Sequence, residues 1–280
     1  MKRIINALLN MLFGKLSFIS LRGAIKSQKL GDLKDRLEQA VPDISAQYSM
    51  AKIDNSYLRF KVRGLHAFQM SLFEKAAAGL PKDIQVADIG DSAGTHILYV
   101  KSLFSGQKNI KCLSVNVDPL AIKRIKEKGL EAIQADVEEM DKYKISADIF
   151  MCFEILEHLN DPIGFLQKLA KTSDSKFAII TVPFVRKSRV MLRYIRENRR
   201  ENVNAENTHV FELCPEDWKL IFKHAGWGVA YEDTYLQYPT GNILRLTKPL
   251  WRKFDYEGFY GVILKKDITW PSIYNKGEFK

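Results

Sequence analysis

His158, in the stretch EILEHL, and His209, in ENTHVFEL, are the side chains best suited to move a proton. An imidazole changes charge near neutral pH, so it can take a proton from a hydroxyl as that oxygen attacks. Glu154 and Glu157 stand close to His158 in the spacing Glu154-x-x-Glu157-His158, which adds two carboxylates to the two imidazoles. A structural role, capping or bridging loops, is the other reading of each histidine. Chemistry requires that distant segments bring these groups together at one place.

A second set of acids lies earlier in the chain. Asp88 closes the apolar run IQVADI (84–89) and leads into Gly90-Asp91-Ser92-Ala93-Gly94. Glycine lets a ligand approach the backbone, and a helix starting after Gly94 offers free N–H groups and positive potential. Asp118-Pro119 follows the run KCLSVNV (111–117), where a carboxylate can accept two hydrogen bonds from a ribose diol. Asp136-Val137 follows EAIQA (131–135), offering an acceptor for an adenine amine and an apolar wall. Glu154 follows ADIFMCF (147–153). Each acid alone could be a helix cap. Four in series, at the tips of four successive strands, form a nucleoside pocket.

The elements that would position them are short apolar runs alternating with helical segments. Strands are expected at 84–89, 111–117, 131–135, 147–153 and 176–182, and two more at 227–235 and 259–265. Helices are expected at 94–104, 119–129, 161–171 and 215–227. The second has proline at its start and glycine at its end. This alternation predicts an α/β, Rossmann-like, mostly parallel sheet with helices on both faces. Ligands on such sheets bind at the carboxyl ends of the strands. Before the sheet, helices are expected at about 5–16, 31–50 and 60–78. The chain thus divides into an N-terminal helical extension (1–78), a main domain (79–266) and a C-terminal tail (267–280).

The 280 residues are 46% hydrophobic, enough for a sizeable core. Cys112, Cys152 and Cys214 are scattered without a CxxC pair, which argues against a disulfide framework or a cysteine zinc site. Net charge is +10. Residues 1–30 carry six basic and no acidic side chains, and 185–200 carry seven basic against Glu197. That excess suits an anionic partner. No apolar run reaches the roughly 20 residues needed to span a bilayer, and no signal-peptide cleavage site follows the first helix. A cytoplasmic protein is expected.

These motifs resemble the class I S-adenosylmethionine-dependent methyltransferases. VADIGDSAG is similar to their first motif, VNVDP to the second, QADVEEM to the third, ADIFMCFEILEHLNDP to the fourth and FAIITVPF to the fifth. FEILEHL resembles the subgroup of ubiquinone-biosynthesis, small-molecule and glycan methyltransferases, as does THVFELCPEDWKLIFKHAGW. The resemblance covers about 80–265. It implies a seven-stranded sheet whose last strand is antiparallel, with S-adenosylmethionine as cofactor. It implies that Asp88 and Gly90, with Asp91, shape the methionine end of the pocket. Gly94 lets the cofactor lie on the loop, Asp118 and Pro119 take the ribose, Asp136 and Val137 the adenine, and Glu154 closes the set.

The family loop usually reads G-x-G-x-G, and Ser92 stands at the middle glycine. If that position needs positive φ, serine costs about 1 kcal/mol. The order of Glu154, Glu157, His158 and His209 also resembles the magnesium site of small-RNA 2′-O-methyltransferases. A metal there could bind two adjacent hydroxyls and acidify one. Mg²⁺ prefers oxygen ligands, and no metal ligand is assigned.

The basic insertion 185–207 follows the fifth strand, over the acceptor side, with Val190, Met191, Leu192, Tyr194 and Ile195 among its arginines. With the amphipathic spacing of Ile5, Leu8, Leu9, Leu12, Phe13 and Leu16, it suggests a peripheral membrane surface or a lipid-linked acceptor. The late aromatics Trp251, Phe254, Tyr256, Phe259 and Tyr260 line either the acceptor pocket or the core. The expected activity is O-methylation of a small-molecule, lipid or surface-glycan precursor. Metal-assisted RNA 2′-O-methylation is the alternative, nucleic acid being the less favoured partner. A degenerate binding module, motivated by Ser92, is the non-enzymatic one.

Overall fold

The computed structural model describes residues 2–48, 52–143, 145–199 and 208–274, without the side chains of 2–13, 140, 141, 193 and 274. The apolar spacing at Ile5–Phe13, the charges of Lys2, Arg3 and Arg193, residues 200–207 of the basic insertion and the end of the tail therefore lie outside the described side chains.

Three helices come first: α1 (Lys2–Ser27), α2 (Gly31–Ala40) and α3 (Ser56–Ala78). The second is shorter than its expected span of 31–50. Pro42 biases Val41 away from helical geometry, and Val41 sits at φ −135°, ψ 85°. Asn55 starts α3 by accepting a hydrogen bond from the Leu58 N–H at 2.8 Å.

The alternating part follows in order: β1 (Asp83–Ile89), α4 (Thr95–Leu103), β2 (Asn109–Asn116), α5 (Pro119–Glu127), β3 (Ala132–Gln134), β4 (Ile149–Phe153), α6 (Pro162–Thr172) and β5 (Phe177–Pro183). A small hairpin pairs β6 (Arg189–Val190) with β7 (Phe211–Glu212), with α7 (Arg193–Arg196) between them. Then come α8 (Pro215–His224), β8 (Trp227–Leu236), α9 (Lys248–Phe254), β9 (Gly258–Lys266) and α10 (Pro271–Tyr274).

The seven-stranded sheet has the order β3-β2-β1-β4-β5-β9-β8. Neighbours from β3 to β5 are parallel; β9 runs antiparallel to both β5 and β8. The expected Rossmann-like fold with an antiparallel last strand is what forms. From β1 the chain moves outward to β2 and β3, then returns to the other side at β4. That reversal opens a crevice at the carboxyl ends of β1 and β4. Gly90 and Glu154 follow these two strands directly.

Two apolar layers cover the sheet. Leu21, Phe68, Leu72 and Phe73 of the N-terminal helices share one core with Ile149, Ile179 and Ile263 of the strands. Phe165, Leu166, Trp218 and Phe222 of α6 and α8 pack on the other face. The N-terminal helices are thus one wall of the main core.

Candidate active site

The loop after β1 is built to hold its shape. Gly90 (φ +82°) and Gly94 (φ +74°) take left-handed conformations. A Cβ at Gly90 would overlap the Ile155 side chain, which follows β4, so glycine is required twice over there. Ser92 does not adopt positive φ. The backbone strain considered for that position is absent.

Asp91 explains the loop's rigidity. Its Oδ1 accepts the N–H groups of Ala93 (3.1 Å) and Gly94 (2.6 Å), and its Oδ2 accepts the Ser114 hydroxyl at 2.7 Å. The Asn116 side-chain amide donates to the Asp91 carbonyl at 3.0 Å, and the Gly90 N–H to the Val115 carbonyl at 2.7 Å. This buried carboxylate is occupied in stitching the loop to β2.

Asp88 is also buried, with Oδ2 3.1 Å from His96 Nδ1 on α4. Burial, and then nearby Asp91, push Asp88 up to about 7, while His96 opposes the rise. Burial disfavours a charge on His96, but Asp88 outweighs it and His96 is raised. Each partner thus holds its proton more tightly than the free side chain does. Nε2 of His96 is buried without a partner.

His96 meets His66 of α3 edge-on, with ring centroids 4.9 Å apart. His66 Nδ1 is 3.1 Å from the Tyr99 hydroxyl, and Arg63 donates to that hydroxyl and to the carbonyls of Leu37, Val41 and Pro42. A buried polar chain thus runs from the loop into the N-terminal helices. Arg63, His66 and Gln69 form its row on α3. All three are buried, and Gln69 donates to Thr181 of β5 at 3.1 Å.

Asp118 and Asp136 stand at the expected tips, and each also holds backbone. Asp118 Oδ1 accepts the Leu120 N–H at 2.9 Å as the cap of α5, whose first residue is Pro119. Asp136 Oδ1 accepts the Glu138 N–H at 2.9 Å. Val137 packs at the edge of the second core.

Across the crevice, the ends of β4 and β5 carry a different arrangement. Glu154 has φ +55°, a left-handed strain unusual for a residue with a side chain, and its N–H bonds the Thr181 carbonyl at 2.9 Å. Its Oε1, and both carboxylate oxygens of buried Glu157, are sealed from solvent without hydrogen-bond partners. Burial raises both acids, and Glu154 raises Glu157 further.

His158 and His209 come together edge to face, centroids 4.7 Å apart. His158 Nδ1 lies 3.0 Å from the Thr208 carbonyl; a carbonyl only accepts, so Nδ1 carries the proton. His209 Nδ1 lies 2.9 Å from Glu212 Oε1 and 3.0 Å from the Tyr256 hydroxyl. That hydroxyl donates to Glu212 at 2.6 Å, and Arg189 bonds Glu212 Oε2 at 2.8 and 2.6 Å. These bonds overcome the cost of burial and lower Glu212 to about 2, so it is ionised. Both neighbours therefore act as acceptors toward His209, whose Nδ1 also carries the proton. Nε2 is in each ring the nitrogen opposite the anchored one, and in His158 it lies 4.0 Å from Glu157 Oε1.

Ligating atoms of Glu157, His158 and His209 all lie within 4.8 Å of one another. Orphaned buried carboxylate oxygens beside two imidazoles anchored through Nδ1 fit a divalent cation. The nitrogen share of that donor set suits manganese or zinc better than magnesium.

Sequence spacing found both histidines and set Tyr256 among the aromatics of the acceptor pocket or core, but gave no orienting role to Glu212, Tyr256 or Arg189, which hold His209. Only the i, i+3 spacing of His209 and Glu212 hinted at the pair. Of the late aromatics, Tyr256 reaches the site, Trp251, Phe259 and Tyr260 are core, and Phe254 is exposed. Arg186 and Arg189 of the basic insertion are paired with Glu257 and Glu212. Arg196 donates to the carbonyls of Val190 and Met191.

Residues 87–175 match the family model described as a methyltransferase domain. No match was found among curated protein sequences. Among solved structures, the chain is similar to a candidate sarcosine dimethylglycine methyltransferase from Galdieria sulphuraria. Identity there is 11%, with 74% of this chain and 87% of that one covered and a TM-score of 0.53. It is also similar to the 4+2 cyclase SpnF, at 11% identity, 86% and 97% coverage and a TM-score of 0.53. A third is the 1,6-didemethyltoxoflavin-N1-methyltransferase of Burkholderia thailandensis, at 13% identity, 72% and 79% coverage and a TM-score of 0.49. The first two, at 11% identity, show the fold alone, and a cyclase on that fold shows why the site must argue the chemistry.

Proposed function

We propose that this chain, whose residues 87–175 match a methyltransferase-domain model, is a class I S-adenosylmethionine-dependent enzyme that methylates a hydroxyl oxygen of a small-molecule, lipid or surface-glycan precursor. The observation that carries the oxygen assignment is His209, held through Nδ1 by Glu212 and Tyr256, which turns its Nε2 toward the role of proton acceptor. S-adenosylmethionine supplies the electrophilic methyl group. The loop at Gly90–Gly94, with Asp118 and Asp136, would hold it, and the chemistry would take place beside the ends of β4 and β5. His209 then takes the hydroxyl proton at Nε2. The ionised Glu212 behind it stabilises the imidazolium that forms, and Tyr256 and Arg189 keep Glu212 in place.

The unpartnered oxygens of Glu154 and Glu157 favour a second reading, in which the same reaction is metal-assisted. Glu154, Glu157, His158 and His209 would hold the ion, which would lower the pKa of a bound hydroxyl. An acceptor with two adjacent hydroxyls, such as the ribose at an RNA end, suits that version.

The test is formation of S-adenosylhomocysteine with panels of hydroxylated lipids, glycan precursors and short RNA, with and without a chelator. Turnover that survives chelation supports the imidazole base. Turnover lost to chelation and restored by manganese supports the metal. A product methylated on nitrogen or carbon would sink the oxygen assignment.

A further inference from the structure

The α1 helix and the turn before α9 meet in a surface that is apolar, basic and free of acids. Ser20 of α1 bonds the Thr247 hydroxyl at 2.7 Å, and Trp251 Nε1 donates to Ser20 at 3.2 Å. Gly23 leaves room for Pro239 and Leu244. Leu16, Ile19, Ser20 and Gly23 share one stripe of the helix, spaced i, i+3, i+4 and i+7. Its buried part packs on the 243–247 turn, while Leu16 and Ile19 stay exposed. Beside them Ile243 is 78% and Leu246 70% exposed.

Charge surrounds these side chains. Residues 14–31 and 234–254 contain Lys15, Arg22, Lys26, Lys29, Arg245, Lys248, Arg252 and Lys253 and no aspartate or glutamate. The bordering acids are spent: Asp255 pairs with Lys61, and Glu257 with Arg186 and Arg252. Within the surface lies a cavity of about 510 Å³ lined by Arg186, Tyr238, Arg245, Leu246, Lys248 and Pro249. Arg245 and Lys248 have no ion-pair partner among the described residues.

We propose that this face docks the protein on an anionic bilayer, with Ile243 and Leu246 entering the acyl boundary and a lipid phosphate held in the cavity by Arg245 and Lys248. Exposed aliphatic side chains gain from an acyl layer and gain nothing from a nucleic-acid backbone. Basic residues without acidic neighbours gain from anionic headgroups. None of the described helices is long and apolar enough to cross a membrane, so the surface binds without spanning. Arg186 on the cavity wall is fixed by Glu257, the residue after Tyr256, which bonds His209.

The experiment is co-sedimentation of the full chain with vesicles of phosphatidylcholine alone and of phosphatidylcholine mixed with phosphatidylglycerol. Capture is expected with the mixed vesicles only, and should weaken as salt rises. Ile243→Asp with Leu246→Asp should lower vesicle affinity about a hundredfold. Arg245→Ala with Lys248→Ala should lower it about tenfold. Thermal midpoints confirm that each pair folds. No capture by mixed vesicles, or capture unchanged in the aspartate pair, overturns the inference. So does single-stranded RNA binding that the alanine pair abolishes while the aspartate pair retains it, since the face would then be a nucleic-acid surface.

Discussion

Asp91 and Glu157 are two buried carboxylates on opposite sides of one crevice, and they could hardly be treated more differently. Asp91 accepts three hydrogen bonds from the loop and from β2. Glu157 accepts none. The first is complete in the protein alone, as a rigid cradle should be. The second carries the cost of buried polar atoms with no compensating bond. That cost makes sense where the missing partner arrives with a substrate or an ion. On the proposed function, the loop side is thus preorganised for a cofactor, and the side of β4 and β5 is left unfinished for the acceptor.

Chemistry should show the largest effect. His209→Gln should lower turnover about a thousandfold while leaving cofactor affinity intact. Equal losses in turnover and in cofactor binding would erase the division between the two sides. Next is stability at the finished side. Asp91→Ala strands two N–H groups and a hydroxyl in the interior and should cost about 3 kcal/mol in urea unfolding. A loss under about 1 kcal/mol would mean that the loop does not depend on it.

Cofactor affinity comes third. Asp118→Ala should weaken S-adenosylhomocysteine binding about tenfold by calorimetry, the scale of one charged hydrogen-bond pair. Unchanged affinity would leave Asp118 only its capping role.

The smallest effect belongs to the unfinished side. Glu157 is raised by burial and by Glu154, so the folded state holds its proton more tightly than the unfolded chain. Stability therefore falls as pH rises above the ordinary carboxylate value of about 4.3, until the raised folded value is passed. Glu157→Gln removes that contribution. It should be nearly neutral at about pH 5 and stabilising at about pH 8. Destabilisation at both would show that Glu157 has a structural partner.

Much of this was legible from residue pattern. Strands β1 to β5 read clearly because apolar runs alternate with capped helices, and the glycine loop and strand-tip acids fell where the reversal of strand order opens the crevice. Other features depend on contacts distant in sequence. Ser92 looked like a departure with a backbone cost, yet its φ stays negative because Gly90 and Gly94 make the turn. Asp91 looked like a ligand contact and is bound up with Ser114, 23 residues away. Arg63, His66 and Gln69, in the helix expected over 60–78, carried no reading of their own. A polar stripe normally faces solvent, and here it is buried against α4 and β5. Charge in the 185–207 insertion pointed to an exposed anion site, while Glu212 and Glu257 take up Arg189 and Arg186 from within the fold.

The central claim is that the Gly90–Gly94 loop and the strand tips beside it form a finished cofactor cradle. Calorimetric titration of the purified chain with S-adenosylmethionine and with S-adenosylhomocysteine tests it most directly. The account predicts one site per chain with dissociation constants on the order of 10 μM, whether or not a divalent metal is present. No binding of either compound to folded protein would contradict it, and the crevice would then need a different ligand.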